Sequence, residues 1–452
     1  MILSVDFGST FTKLTAIDAE ARKIAATSRA VTTIETDIRD GFYIALCELE
    51  RTIGKVSYTE KYAASSAGGG LKMVAVGLVP ELTAKAARLA ANNAGAKVLK
   101  TYSYELSDSE CDEIYQINPD IILLCGGTDG GNKEVMINNA QRIAQIDGAF
   151  AVVVAGNKSA SSSVMNALRN RETVLTANVM PSFGNLEIEP AKEAIRTLFI
   201  RRIIEAKGIG AAQKMMNAAI VPTPLAVFNA AELLSRELCE LVAVDVGGAT
   251  TDVYSMANGE PTKSNVVVKG LVEPFAKRSV EGDLGLRYGM STLIEAAAVE
   301  RVAAEAGVMP EDVNDWQARC LEEPGQLPHK SSMGKRIDDT LAGLAVELAS
   351  VRHCGKIESA YTPFGKAFLQ EGKDLSDVKY IVGAGGPVIG STEPAAVLRR
   401  ACGNSKHPFS LMPCQPKLLL DKIYIIAAMG LLAKTCPQLA LEIMKTELME
   451  VG

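Results

Sequence analysis

One pattern occurs twice in this chain and limits what the rest can be: an apolar run ending in aspartate, a bend of small residues, then a second alternating run. Ile2 to Ile17 read ILSVDFGSTFTKLTAI, and Leu241 to Met256 read LVAVDVGGATTDVYSM. Laid together, Asp6 falls on Asp245, Gly8 on Gly247 and Thr12 on Thr251. Two alternating runs around a Gly, Ser or Thr bend form a β-hairpin. Small bend residues leave backbone N–H groups uncovered, so the turn can close around phosphate oxygens. The Asp ending the first strand can hold Mg²⁺ through water. Either turn alone is equally an ordinary tight turn. Two of them facing each other would grip a polyphosphate from both sides.

A third stretch, YIVGAGGP from Tyr380 to Pro387, is again a strand running into glycines, Gly383, Gly385 and Gly386, where a nucleoside can lie against bare backbone. Together the three resemble the phosphate-1, phosphate-2 and adenosine motifs of the superfamily containing actin, the seventy-kilodalton heat-shock proteins and sugar kinases. The fold this resemblance implies is α/β: two actin-like ATPase (ribonuclease H-like) domains around a nucleotide cleft.

With 452 residues and 48% hydrophobic content, the chain is long enough for two or three domains, each with its own core. A net charge of −6 without any Lys/Arg block recommends neither nucleic acid nor an anionic membrane as partner. The longest apolar run near the C-terminus, Ile423 to Ala433, falls short of the roughly 20 residues that span a bilayer. Asp6 and Lys13 interrupt the N-terminal stretch, which argues against a secretory leader. Nine scattered cysteines without a C-x-x-C pair fit reduced thiols and a cytoplasmic location. His329, His353 and His407 are too dispersed for a metal site, and of the three only His353, beside Arg352, merits watching.

The rhythm of the chain suggests its division. Arg22 to Thr33 reads as a third strand, Ile38 to Ile53 as an amphipathic helix, and Tyr62 to Ala67 as a further strand ending at Gly68, Gly69 and Gly70, the first domain break. From Leu71 to Gly184, continuous apolar strands alternate with helices, including one running from Pro80 to Ala94, the pattern of an inserted doubly wound parallel sheet. Its turns Gly126 to Gly131 and Gly156 to Ser163 lie where such sheets bind ligands. They are equally well-formed strand-to-helix turns, with Asp129 and Ser159 as caps. The expected domains are therefore 1–70 with 185–240, the insertion 71–184, and 241–452 with a small lid-like subdomain around 300–335. SVEGDLGLR, Ser279 to Arg287, reads as a turn opening a helix, with Gly282 and Asp283 placed either at a phosphate or as a simple cap. A buried helix over Lys422 to Lys434, rich in small residues, resembles the superfamily's second connecting helix, which crosses the first at the hinge.

Longer strings narrow the resemblance. DFGSTFTK, SSAGGGLKMVAVGLVPELT, LLCGGTDGG, DVGGATTDVYS, SVEGDLGLR and GKDLSDVKYIVGAGG are similar, over nearly the whole chain, to the glutamate mutase accessory family called GlmL or MutL. The resemblance implies an ATP-binding, ATP-hydrolysing accessory that reactivates an adenosylcobalamin-dependent mutase, with that mutase as partner and a small second subunit as a further one. Asp6 and Asp245 would hold the water shell of Mg²⁺. Gly8, Ser9, Thr10, Gly247, Gly248 and Ala249 would hold the phosphates of ATP, with Lys13 and Thr250 adding contacts. Asp252 either orients phosphate-side groups or caps its turn. Cobalamin-binding subunits of such mutases are doubly wound sheets, so the insertion can imitate one, although the D-x-H-x-x-G cobalt-ligand motif is absent. One departure matters: where heat-shock-type members bring in a water-orienting acid, this chain reads VPTP, Val221 to Pro224. A small-molecule kinase, an activator of a radical dehydratase and a non-hydrolysing nucleotide scaffold stand as alternatives.

Overall fold

The computed structural model describes residues 1–33, 36–66, 72–206, 209–362 and 365–452, so the glycines at 68–70 lie outside the described residues. The chain forms two compact units, one of Met1–Gly68, Ala211–Lys269 and Phe275–Gly452, the other of Gly69–Gly210 and Gly270–Pro274.

The first unit begins with the expected hairpin, β1 (Ile2–Phe7) and β2 (Phe11–Asp18), with Asp6 opposite Lys13. β3 (Lys23–Val31) adds antiparallel to β2, and β4 (Glu60–Ser65) lies parallel to β1. Between them, the Ile38–Ile53 helix starts at Asp37, whose carboxylate accepts from Arg39 N, and buries Ile38, Phe42, Ala45 and Leu49 at helical spacing.

The second unit is a five-stranded, all-parallel sheet of β5 (Lys72–Gly77), β6 (Lys97–Ser103), β7 (Ile121–Leu124), β8 (Ala151–Val154) and β9 (Thr173–Leu175), ordered β6-β5-β7-β8-β9. β7 and β8 are wholly buried, as strands covered on both faces must be. The helix expected from Pro80 is a π-helical turn, Pro80–Ala84, followed by an α-helix, Lys85–Asn93. The reason is local: Thr83 Oγ1 accepts from Leu78 N at 2.8 Å and Val79 N at 2.9 Å, folding the turn back on the end of β5. The glycine-rich turn after β7 is filled by Asn157, whose side chain accepts from Gly130 N and donates to Gly131 O and Asn132 O. Asn157 also caps Ser159 N, so the cap at this helix is Asn157 rather than Ser159. Asp129 accepts from Lys158 N and Asn178 Nδ2. These are the bonds of a well-formed turn. The Glu189–Ala206 helix belongs to this unit, with Ala191, Ile195, Leu198 and Phe199 buried.

Back in the first unit, β10 (Val221–Pro222) pairs with β4 and completes a sheet of order β10-β4-β1-β2-β3. The second hairpin, β11 (Leu241–Val246) and β12 (Thr251–Met256), repeats the plan. β13 (Val266–Lys269) leaves for a small sheet with β15 (Lys356–Thr362) and β16 (Gly365–Glu371), and β14 (Ala276–Glu281) lies antiparallel to β12. β17 (Tyr380–Ala384) and β18 (Lys417–Asp421) follow parallel to β11, with β19 (Leu448–Glu450) on the edge. Both mixed sheets thus share one order, third-second-first-fourth-fifth, with the same antiparallel and parallel pairings. The sequence repeat is a repeat of topology.

Ser279–Glu281 ends β14 and opens no helix: a turn follows, and the next helix begins at Met290, a correction to the expectation for SVEGDLGLR. Trp316, on the Pro310–Glu322 helix, packs against Gly334 and joins the core shared by the second sheet and the long Met333–His353 helix. Two helices cross behind the hairpins, Thr223–Leu238 after β10 and Ile426–Leu432 after β18. They approach so closely that a Cβ on Gly430 would lie 1.7 Å from Ala226 O. The second crossing helix is shorter than the expected Lys422–Lys434, because Asp421 caps it at Ile425 N and Ile426 N. Among the described residues no helix is long and apolar enough to cross a membrane.

Candidate functional site

Each hairpin turn is closed by one backbone bond, Gly8 N to Phe11 O at 3.1 Å and Gly247 N to Thr250 O at 2.9 Å. A Cβ at Gly8 would sit 2.6 Å from Phe11 O, so the first turn needs glycine. Both turns are braced from behind through their carbonyls. Thr32 donates to Gly8 O through its hydroxyl and to Thr10 O through its N–H. Leu286 N and Arg287 N donate to Gly247 O and Gly248 O, and Gly285 lies tight against Ala249. The two turns meet, since a Cβ on Gly248 would stand 3.4 Å from Thr10 Oγ1.

The aspartates heading the turns lie close enough for the charge of Asp6 to act on Asp245. Asp6 accepts from Thr223 Oγ1 at 2.6 Å and lies 3.9 Å from Lys13 Nζ. Lys13 in turn sits 4.3 Å over the Tyr424 ring. The Asp245 carboxyl is pushed up to about 7 by burial, then by the charges of Asp252, Asp6 and Asp421, with Lys13 opposing. Burial also raises Asp421. Excess negative charge of this kind suits a hydrated divalent cation. Among the described residues no cluster of three or more His, Cys, Asp or Glu side chains could hold an ion directly, and Mg²⁺ characteristically keeps several waters and uses one or two carboxylates.

Of the other expected residues, Thr250 donates to Asp252 Oδ2 at 3.1 Å, and Asp252 Oδ1 accepts from Arg278 at 2.6 and 2.9 Å. Asp252 is thus the buried partner of an arginine as well as part of its turn. Gly385, at φ 90°, lies against Asp245: a Cβ there would come 2.6 Å from Asp245 Oδ1. Gly386 faces the Tyr424 hydroxyl. Gly383 is different, because its missing side chain makes room for Leu398 in the core. Asp283, next to Gly282, accepts from Arg352 at 3.0 Å. His353 is buried, its Nδ1 2.7 Å from Ser279 Oγ, and burial followed by Lys277 and Lys373 holds it neutral.

Sequence reasoning missed Thr223, Tyr424, Asp421 and Arg278. Thr223 stood in the VPTP string, read only for its lack of an acid. Tyr424 lay inside an apolar run that gave no signal at all.

Two sheets of one topology, each led by an aspartate-glycine hairpin and meeting turn to turn, define an α/β fold of the actin-like kind. The family model described as MutL protein matches residues 2–448. Protein MutL of Clostridium tetanomorphum is 46% identical over 462 residues, covering 99% of each chain. The chain belongs to the MutL protein family. Solved structures that align with it include nucleotide-free acetone carboxylase, with 11% identity and TM-score 0.43 over 96% of this chain and 70% of that one. Component A of (R)-2-hydroxyglutaryl-CoA dehydratase from Acidaminococcus fermentans aligns with 10% identity and TM-score 0.29 over 99% and 98%. Xylulose kinase from Bifidobacterium adolescentis aligns with 11% identity and TM-score 0.31 over 99% and 94%.

Proposed function

We propose that this protein binds ATP with Mg²⁺ between its two hairpin turns and hydrolyses it as a cytoplasmic accessory that reactivates an adenosylcobalamin-dependent mutase such as glutamate mutase. The observation that carries the reading is the meeting of the two turns at Thr10 and Gly248, with Asp6, Lys13 and Asp245 gathered beside them. Membership of the MutL family supports the accessory role. Backbone groups of Gly8, Ser9, Thr10, Gly247, Gly248 and Ala249 hold the phosphates, and Asp6 and Asp245 orient the cation's water shell. Bound Mg²⁺ supplies charge neutralisation at the phosphates. Thr223 fixes the Asp6 carboxylate, and Gly385, lacking a Cβ, lets the end of β17 pack directly against Asp245 and the Val246 backbone. The crossing helices pack at Gly430, where the halves would pivot as ATP gives way to ADP.

The parallel-sheet unit, with strand order second-first-third-fourth-fifth, is the part we assign to gripping the mutase by imitating its cobalamin-binding sheet. A nucleotide scaffold without turnover is the second reading, favoured by Thr223, whose hydroxyl is already committed to Asp6 where an acid was sought. The test is ADP release by the whole protein, alone and with a cobalamin enzyme inactivated by its own substrate. Release that rises with the inactivated mutase supports the reactivase. Tight binding without release selects the scaffold, release stimulated only by polyols or carboxylic acids points to a kinase, and absence of nucleotide binding overturns the reading.

A further inference from the structure

Tyr424 stands in the turn between β18 and the second crossing helix, with φ at 60°. A tyrosine rarely adopts this left-handed backbone, and such strain persists only where the surroundings over-determine it. Here they do: the Asp421 carboxylate accepts from Ile425 N and Ile426 N, both at 2.9 Å, pinning the chain just after the tyrosine. The consequence is a side chain that reaches two parts of the cleft at once. Its ring lies under Lys13 Nζ at 4.3 Å, and its hydroxyl stands 3.0 Å from where a Cβ on Gly386 would be. Lys13 belongs to the first hairpin; Tyr424 and Gly386 belong to the second sheet and its loops.

Lys13 is therefore not held by one strong partner. Its ammonium is 3.9 Å from Asp6 Oδ2, long for an ion pair, feels the charges of Asp245 and Asp421 at longer range, and rests on an aromatic face, an attraction a phosphate can outcompete. We propose that Tyr424 is a positioning residue that parks the Lys13 ammonium beside Asp6 in the nucleotide-free cleft and yields it to a triphosphate more readily than to a diphosphate. The physical basis is a threshold. Lys13 must leave the ring, and the extra negative charge of a third phosphate repays that departure more fully than two phosphates do. The proposal rests on the nucleotide reading and adds to it the group that decides which ligand moves Lys13; because only the triphosphate meets the cost of that departure, the contact narrows the difference in affinity between ATP and ADP.

The test uses the full-length protein and two substitutions. Tyr424→Phe keeps the aromatic face, while Tyr424→Asn removes it and still tolerates positive φ. Lys13 acetylation by acetic anhydride, followed by mass spectrometry without nucleotide, is expected to be slow in the parent and in Tyr424→Phe. In Tyr424→Asn it is expected to run roughly three- to ten-fold faster, the span of a modest cation–π contact. The ratio of ADP to ATP dissociation constants, measured with Mg²⁺, is expected to rise in Tyr424→Asn, by up to roughly the same three- to ten-fold as ATP binding is relieved of the departure cost, and to hold in Tyr424→Phe. Equal Lys13 reactivity in the parent and Tyr424→Asn overturns the parking contact, and an unchanged ratio overturns its role in selectivity. If reactivity shifts as expected but the parent binds neither nucleotide, the nucleotide reading fails, taking selectivity with it, while the contact stands.

Discussion

An aspartate that keeps its proton to about pH 7 makes stability fall as pH rises. In the folded protein Asp245 titrates near 7, against 3.8 for the ordinary side chain, so between those values the folded state binds more protons than the unfolded state. Stability from this group is greatest at acidic pH and is lost as pH climbs from about 4 to about 7. Asp245→Asn removes the slope. Thermal melts of nucleotide- and metal-free protein at pH 5 and 7.5 should show a larger drop in Tm for the parent than for the variant; equal drops would contradict the shift. Glu347 gives the opposite sign. Burial alone would raise it, but Arg301, His407 and Arg400 hold it down to about 2. Its contribution is present above about 4.5 and is lost as pH falls toward 2, so Glu347→Gln should cost stability at pH 6 and progressively less below pH 4 in denaturant titrations.

Among elements, the crossing helices are the most demanding. A Cβ at Gly430 would press into Ala226 O, and backbone on one helix cannot yield without moving the other. Gly430→Ala should destabilise by about 1–3 kcal/mol, as overpacking typically does, and should lower any nucleotide-driven turnover further than the loss of folded protein explains. Guanidinium unfolding and specific activity per folded molecule measure the two separately. Some elements were plain from sequence and others were not, for physical reasons. The Ile38–Ile53 helix has its own cap and its own apolar stripe, both local, and its ends were read correctly. β10 is two residues long and exists only because β4 lies beside it, so nothing in VPTP announces it. The turn at Ser279–Arg287 carries helix-start residues, yet pairing of Ala276–Glu281 with β12 overrides them. In the site, aspartates and glycines were legible because turn chemistry is local. Thr223 and Tyr424 were not, because each reaches Asp6 or Lys13 from more than two hundred residues away.

For the whole molecule, the boundaries of the parallel-sheet unit decide whether it can be removed. Deleting 71–184, the span suggested by sequence, would leave the Glu189–Ala206 helix with Ala191, Ile195, Leu198 and Phe199 stripped of cover. Deleting Gly69–Gly210 takes that helix too. The expected outcome is aggregation of the shorter deletion and a monodisperse product from the longer one, read by size-exclusion chromatography. If the unit grips the mutase, the longer deletion also loses co-purification with it, and retained association would refute mimicry. The segment Gly270–Pro274 also belongs to this unit, where Glu273 pairs with Lys85 at 3.0 Å, so short linkers alone do not restore its surroundings.

The placing of β10 has a further effect during synthesis. β1 to β4 leave the ribosome within the first 65 residues, but the strand that covers the β4 edge follows only after residue 220. For that interval a growing chain carries an open strand edge, the kind that invites pairing with a neighbouring polypeptide. The Gly69–Gly210 part of the parallel-sheet unit, emerging meanwhile, can settle before the earlier sheet is sealed, with Gly270–Pro274 joining it only afterwards.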